Sequence, residues 1–120
     1  MATGLPKDDG TLHSHSYRVS SGQLTLRPMT ESDWSNLLRW NQDPRVLVCR
    51  DAGNTQPWSL DKLQTVYRGI SRTALMFMVE LEGNAVGEAW LRRMNLADIR
   101  ERLPGLNLWR IDWSIGVPEV

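Results

Sequence analysis

A single cysteine, a single phenylalanine and only two histidines among 120 residues remove several chemistries at the outset. Cys49 cannot close an internal disulfide and has no metal-ligand partners near it in sequence, so a reducing cytosol is expected rather than secretion. Net charge is missing too: 14 basic residues balance 14 acidic ones. A nucleic-acid partner held by a global positive field is therefore not expected, although a local patch stays open. No apolar run approaches the roughly 20 residues of a membrane span, and Met1 to Gly10 lacks a signal-peptide core. The chain reads as soluble and cytoplasmic, with no membrane partner. It also lacks a P-loop, a nucleophile-elbow serine, an internal repeat and a metal-ligand cluster, so several enzyme classes drop out.

What is present has globular proportions, 41% apolar and 23% charged, and fits one domain. Met1 to Ser21 is rich in Gly, Ser, Thr and Asp and reads as a flexible arm whose end can pair with the first strand. His13 and His15 within it read as solvated tail, since two histidines without a third ligand do not make a metal site. Gln23 to Arg27 alternates and is closed by Pro28, as a strand would be. Thr30 with Asp33 approximates a capping box opening a helix on which Trp34, Leu37, Leu38 and Asn41 share a face, ended by Asp43-Pro44.

Arg45 to Trp58 has no clean period, and Gly53-Asn54 marks it as loop. Ser59 caps a second helix carrying Leu60, Leu63, Tyr67 and Ile70. Tyr67 reads as packing, with a general acid as the other possibility. The apolar run Ala74 to Leu81, the turn Glu82-Gly83-Asn84 and Ala85 to Arg93 make a hairpin. On its second arm Glu88 and Trp90 share a row, and Glu88 either faces a cleft or pairs with an arginine across the sheet. Asn95 to Leu103 has room for one or two helical turns. Arg92, Arg93, Arg100, Arg102 and Arg110 form either a solvated face or an attractor for an anionic group.

The last stretch, Leu106 to Val120, is the most informative. Leu108, Arg110, Asp112, Ser114 and Gly116 alternate with Trp109, Ile111, Trp113, Ile115 and Val117, the two-residue period of a strand. Asp112 is thus a carboxylate in mid-strand. Taken alone it is a solvated residue on a wet face.

An ordered series of motifs changes that weighting: Leu24-Thr-Leu-Arg-Pro-Met-Thr-Glu-Ser-Asp33, Leu38-Arg-Trp-Asn41, Asp43-Pro44, Met78-Val-Glu-Leu-Glu-Gly-Asn-Ala-Val-Gly87, Ile111-Asp112 and Gly116-Val-Pro-Glu119. In order and spacing it resembles the Gcn5-related N-acetyltransferase superfamily, and within it the aminoglycoside 6'-N-acetyltransferase-like branch. The resemblance implies an α+β (α/β) chain, the N-terminal part of an acyl-CoA N-acyltransferase fold. That part has a mainly antiparallel sheet of about four strands, with two helices after the first. Residues 22–120 would be the N-terminal half of such a domain, with the pyrophosphate loop of the form Gln/Arg-x-x-Gly-x-Gly/Ala beginning beyond Val120; residues 1–120 alone would then bind acyl-CoA weakly or not at all.

The resemblance further implies acetyl-CoA as co-substrate, with backbone groups of Ile115, Gly116 and Val117 along its pantetheine arm. It makes Asp112 the catalytic carboxylate beside the acceptor amine, and Trp40, Glu88, Trp90 and Asp112 the acceptor-side residues. An alkyl amine with a pKa near 10 is mostly ammonium at pH 7, so Asp112 would grip it by a charge-assisted hydrogen bond. With an ordinary pKa of about 3.9 it is a weak base, which leaves orientation with relay through water, or burial that raises its pKa. The branch suggests an aminoglycoside 6'-amine as acceptor; protein N-termini and hydroxylysine-type siderophore amines stand beside it. From another class, a non-catalytic module would pair with a second copy through an open sheet edge.

Overall fold

The turn at Glu82-Gly83 sets the centre of the sheet. Both residues have positive φ, 52° and 83°, the twist that lets two strands return on each other through a tight link. It joins β3 (Leu75–Leu81) to β4 (Asn84–Arg93), and β5 (Trp109–Ile115) pairs antiparallel on the far side of β4. On the near side of β3 lies β2 (Leu24–Pro28), followed by β1 (Val19–Ser21), so the sheet order is β1-β2-β3-β4-β5 with every pair antiparallel. The computed structural model describes residues 10–49 and 56–119.

The sheet has five strands where about four are expected. The additional one is the end of the segment read as an arm: Gly22, at φ 59°, turns the chain so that Val19 pairs with Leu26. Further back in that segment Leu12 is buried in the core, the His13 amide donates to Ser71 Oγ at 2.9 Å, and the His15 ring packs on Phe77 at 4.6 Å.

Between β2 and β3 the helices cross one face of the sheet. Thr30 and Asp33 make the reciprocal capping box, through a short 3-10 turn Glu31–Asp33 that leads into α1 (Trp34–Asn41). Asp43-Pro44 does not simply end that helix. Asp43 caps a further single turn, α2 (Pro44–Leu47), by accepting from the Arg45 amide, with Pro44 at the first helical position where its missing N–H costs nothing. That turn corrects the reading of Arg45 onward as loop; Gly53-Asn54 lies outside the described residues. Ser59 caps α3 (Leu60–Ile70), and α4 (Ala97–Arg102) fills the β4–β5 connection. Trp34, Leu37 and Trp40 of α1 and Leu63, Tyr67 and Ile70 of α3 bury against Met76 and Met78 of β3. Among the described residues no helix is long and apolar enough to cross a membrane.

One polar knot ties β2 to the start of α1. Arg27 donates to both oxygens of Asp33, at 2.8 and 3.0 Å, and to Glu80 on β3 at 2.8 Å. Asp33 is 4% exposed. Burial pushes its carboxyl upward, but Arg27 and the Thr30 amide overcome that and hold it below the usual value. Next to it Glu31 pairs with Arg68 at 2.7 Å, accepts from Trp34, and is lowered to about 2, chiefly by Arg68.

Candidate active site

The two rows of β5 take opposite roles from those that alternation alone suggests. The apolar row is the wet one: Trp109, Ile111 and Trp113 are exposed. Its polar row is half-sheltered and faces α1–α3, because Trp90 opposite Asp112 and Glu88 opposite Ser114 place these residues on the face the helices cover. A cleft of about 930 Å³ opens there. Its lining includes Tyr67 from α3, Glu88 and Trp90 from β4, Arg110, Asp112 and Ser114 from β5, and Asn41 and Arg45 from the α1–α2 region.

Glu88 sits on the floor, 3% exposed. Its Oε1 accepts from the Tyr67 hydroxyl at 2.6 Å and from Trp90 Nε1 at 3.0 Å. Glu88 lines the cleft. Asp112 is nearer the mouth, with its side chain 36% exposed. Arg110 binds both of its oxygens, each at 2.9 Å, and Arg92 stands 3.6 Å away. The same bidentate contact raises the Arg110 pKa.

Of the other expected site residues, Trp90, Ile115 and Val117 line the cleft, whereas Trp40 does not. Trp40 is 1% exposed, its Nε1 has no acceptor among the described residues, and its indole packs against Gly116. Gly116 does permit a close approach, but the group that approaches is that indole. The Gly116 N–H is likewise committed, donating to Val86 O at 2.8 Å. In antiparallel geometry this bond turns the N–H and C=O of Ile115 away from β4, toward the outer edge of β5. For a pantetheine arm, Ile115 and Val117 thus fit as backbone partners, and Gly116 fits as spacer rather than donor.

Sequence reasoning left the Tyr67–Glu88 contact unmade, because the two lie 21 positions apart. The signal available was that Tyr67 sits on the apolar face of its helix and Glu88 is a lone acid within a buried strand. Neither the arginine fork on Asp112 nor the cap that brings Arg45 to the cleft was visible as a pattern.

An antiparallel sheet with helices packed on one face, and a carboxylate-bearing cleft between those helices and the β4–β5 side, is the frame of an acyl-CoA N-acyltransferase. The chain belongs to the GNAT acetyltransferase family: residues 23–120 match the acetyltransferase (GNAT) domain. No curated protein matches it. Membership makes acetyl transfer from acetyl-CoA to an amine the chemistry to be explained.

Proposed function

We propose that the protein acetylates a primary amine that enters the cleft between Glu88 and Asp112. The observation that carries this is the convergence of both carboxylates with the outward-turned backbone of Ile115 on one cleft. Acetyl-CoA supplies the activated acyl group as a thioester. Ile115 and Val117 hold the arm that carries it, while Asp112 and Glu88 draw the ammonium in and fix its nitrogen; one proton passes to water, the freed amine forms the C–N bond as the thioester C–S bond breaks, and the departing thiolate takes up the second amine proton. Trp58 and Trp90 provide apolar walls that exclude water from the amine. Asp112→Asn in the full-length protein is expected to lower kcat/KM for the amine by about 10- to 100-fold, the scale of a lost charged hydrogen bond. Acetyl-CoA affinity should be retained; unaltered turnover would remove Asp112 from the mechanism.

The resemblance extends this to an aminoglycoside 6'-amine. A polycationic sugar is best served by an acidic pocket, and here the charges on the lining cancel, Arg45 and Arg110 against Glu88 and Asp112. That balance favours an acceptor of low net charge. The exposed lone Cys49 suits a reducing cytosol.

A second reading, self-association through β5, is favoured by the exposed row Trp109, Ile111 and Trp113 on an edge strand. It predicts concentration-dependent dimers in sedimentation velocity that Trp113→Lys abolishes. A monomer at every concentration counts against it.

A further inference from the structure

The charges around Asp112 answer to more than an amine. Arg92 and Arg110 stand directly opposite each other on β4 and β5, an arrangement that like-charge repulsion disfavours. Among the described residues one carboxylate serves both. Asp112 is fully engaged by Arg110, whereas Arg92 Nη2 at 3.6 Å is beyond hydrogen-bond reach. Arg92 is 17% exposed at its side chain, and its Nε is buried with no acceptor among the described residues. Two guanidiniums on one carboxylate leave a positive charge in excess, and a buried donor goes unused. Two local rules broken at one place mark a site shaped around something other than the fold.

Resting on the acetyltransferase reading above, we propose that the acceptor amine carries an anionic group of the carboxylate class close to its nitrogen, and that Arg110 receives it. The acceptor's carboxylate takes the Arg110 fork, whose planar geometry suits it. Asp112, released from Arg110, closes on Arg92 and keeps its other oxygen for the ammonium. A zwitterion adds no net charge to this corner of the cleft. A simple alkylamine adds one, and a polycation several, to a place already positive. The anion is assigned to the acceptor because Arg110 shares its corner of the cleft with Asp112, the carboxylate proposed to meet the amine.

The test is steady-state acetylation by the full-length protein of paired acceptors, each an α-amino acid and its C-terminal amide. Wild type should favour the carboxylate member by about 10- to 100-fold in kcat/KM, chiefly through KM. Arg110→Gln should bring that ratio to about 1, and Arg110→Lys should restore part of it. A wild-type ratio at or below 1 overturns the proposal, and decides the matter even if Arg110→Gln does not fold. A Gln variant that keeps the ratio but loses acetyl-CoA affinity also overturns it, by assigning the guanidinium to a CoA phosphate. A wild type that binds acetyl-CoA yet acetylates neither series nor any other amine overturns the acetyltransferase reading itself, and this inference falls with it.

Discussion

Gly116→Ala is expected to lower the free energy of unfolding by about 3 kcal/mol, the upper end for overpacking by one methyl group. A Cβ built at this position runs into the Trp40 ring, meeting Cγ, Cδ1 and Cδ2. The ring cannot yield, because it is 1% exposed and wedged in the main core cluster with Trp34, Leu37 and Leu63. Backbone must move instead, and the backbone in question runs between Ile115 and Val117. Urea denaturation measures the loss, and a double-mutant cycle identifies its source. Paired with Trp40→Leu, the alanine should cost less than in the wild-type background by at least ~1 kcal/mol. Strict additivity would show that the clash is not the cause. Acetyl-CoA affinity should fall in the same variant, since the displaced segment is the one assigned to the pantetheine arm.

Asp33→Ala should be comparably damaging, by about 2–4 kcal/mol. Removing one partner of a sheltered pair strands the other charge, and here the capping box goes with it. Glu80 remains for Arg27, which keeps the expected cost from reaching the top of the range for buried pairs. Asp33→Asn retains an acceptor for the Thr30 amide and should fall between wild type and alanine.

The same carboxyl gives a pH signature. Its folded pKa is depressed, so its contribution is complete above the unfolded value near 3.9 and is lost as pH falls through the folded value. Glu31 acts in the same direction, its share fading between about 4.5 and about 2. Wild-type stability should therefore decline steeply below pH 4.5. In Asp33→Ala the decline should be shallower, and parallel curves for the two proteins would refute the assignment.

Local signals carried much of the architecture. Thr30 with Asp33, Ser59 before Leu60, and Glu82-Gly83 each act within a few residues, and each forms the cap or turn its residue types favour. Asp43-Pro44 was equally local but ambiguous: the residues that end one helix are those that begin another, and only the Arg45 amide, bonded to Asp43, separates the cases. The three residues of β1 are too few to show a period. For β5 the period was plain and its sense was not. Alternation states that two rows differ, while which row meets the helices depends on the pairing of Asp112 with Trp90. The site suffered most from this limit. Tyr67 against Glu88, Trp40 against Gly116 and Arg92 opposite Arg110 are all consequences of packing between distant segments.

The sheet runs in the order of the chain, and this bears on how the molecule assembles. β1 with β2 and β3 with β4 are near neighbours that can zip within microseconds, and β5 joins after a short excursion. Only the join of β2 to β3 must draw together Pro28 and Phe77 across the helical segment. The entropy of that single closure should dominate the barrier to folding, so the apolar contacts of α1 and α3 with β3 are where substitutions should slow refolding rather than hasten unfolding.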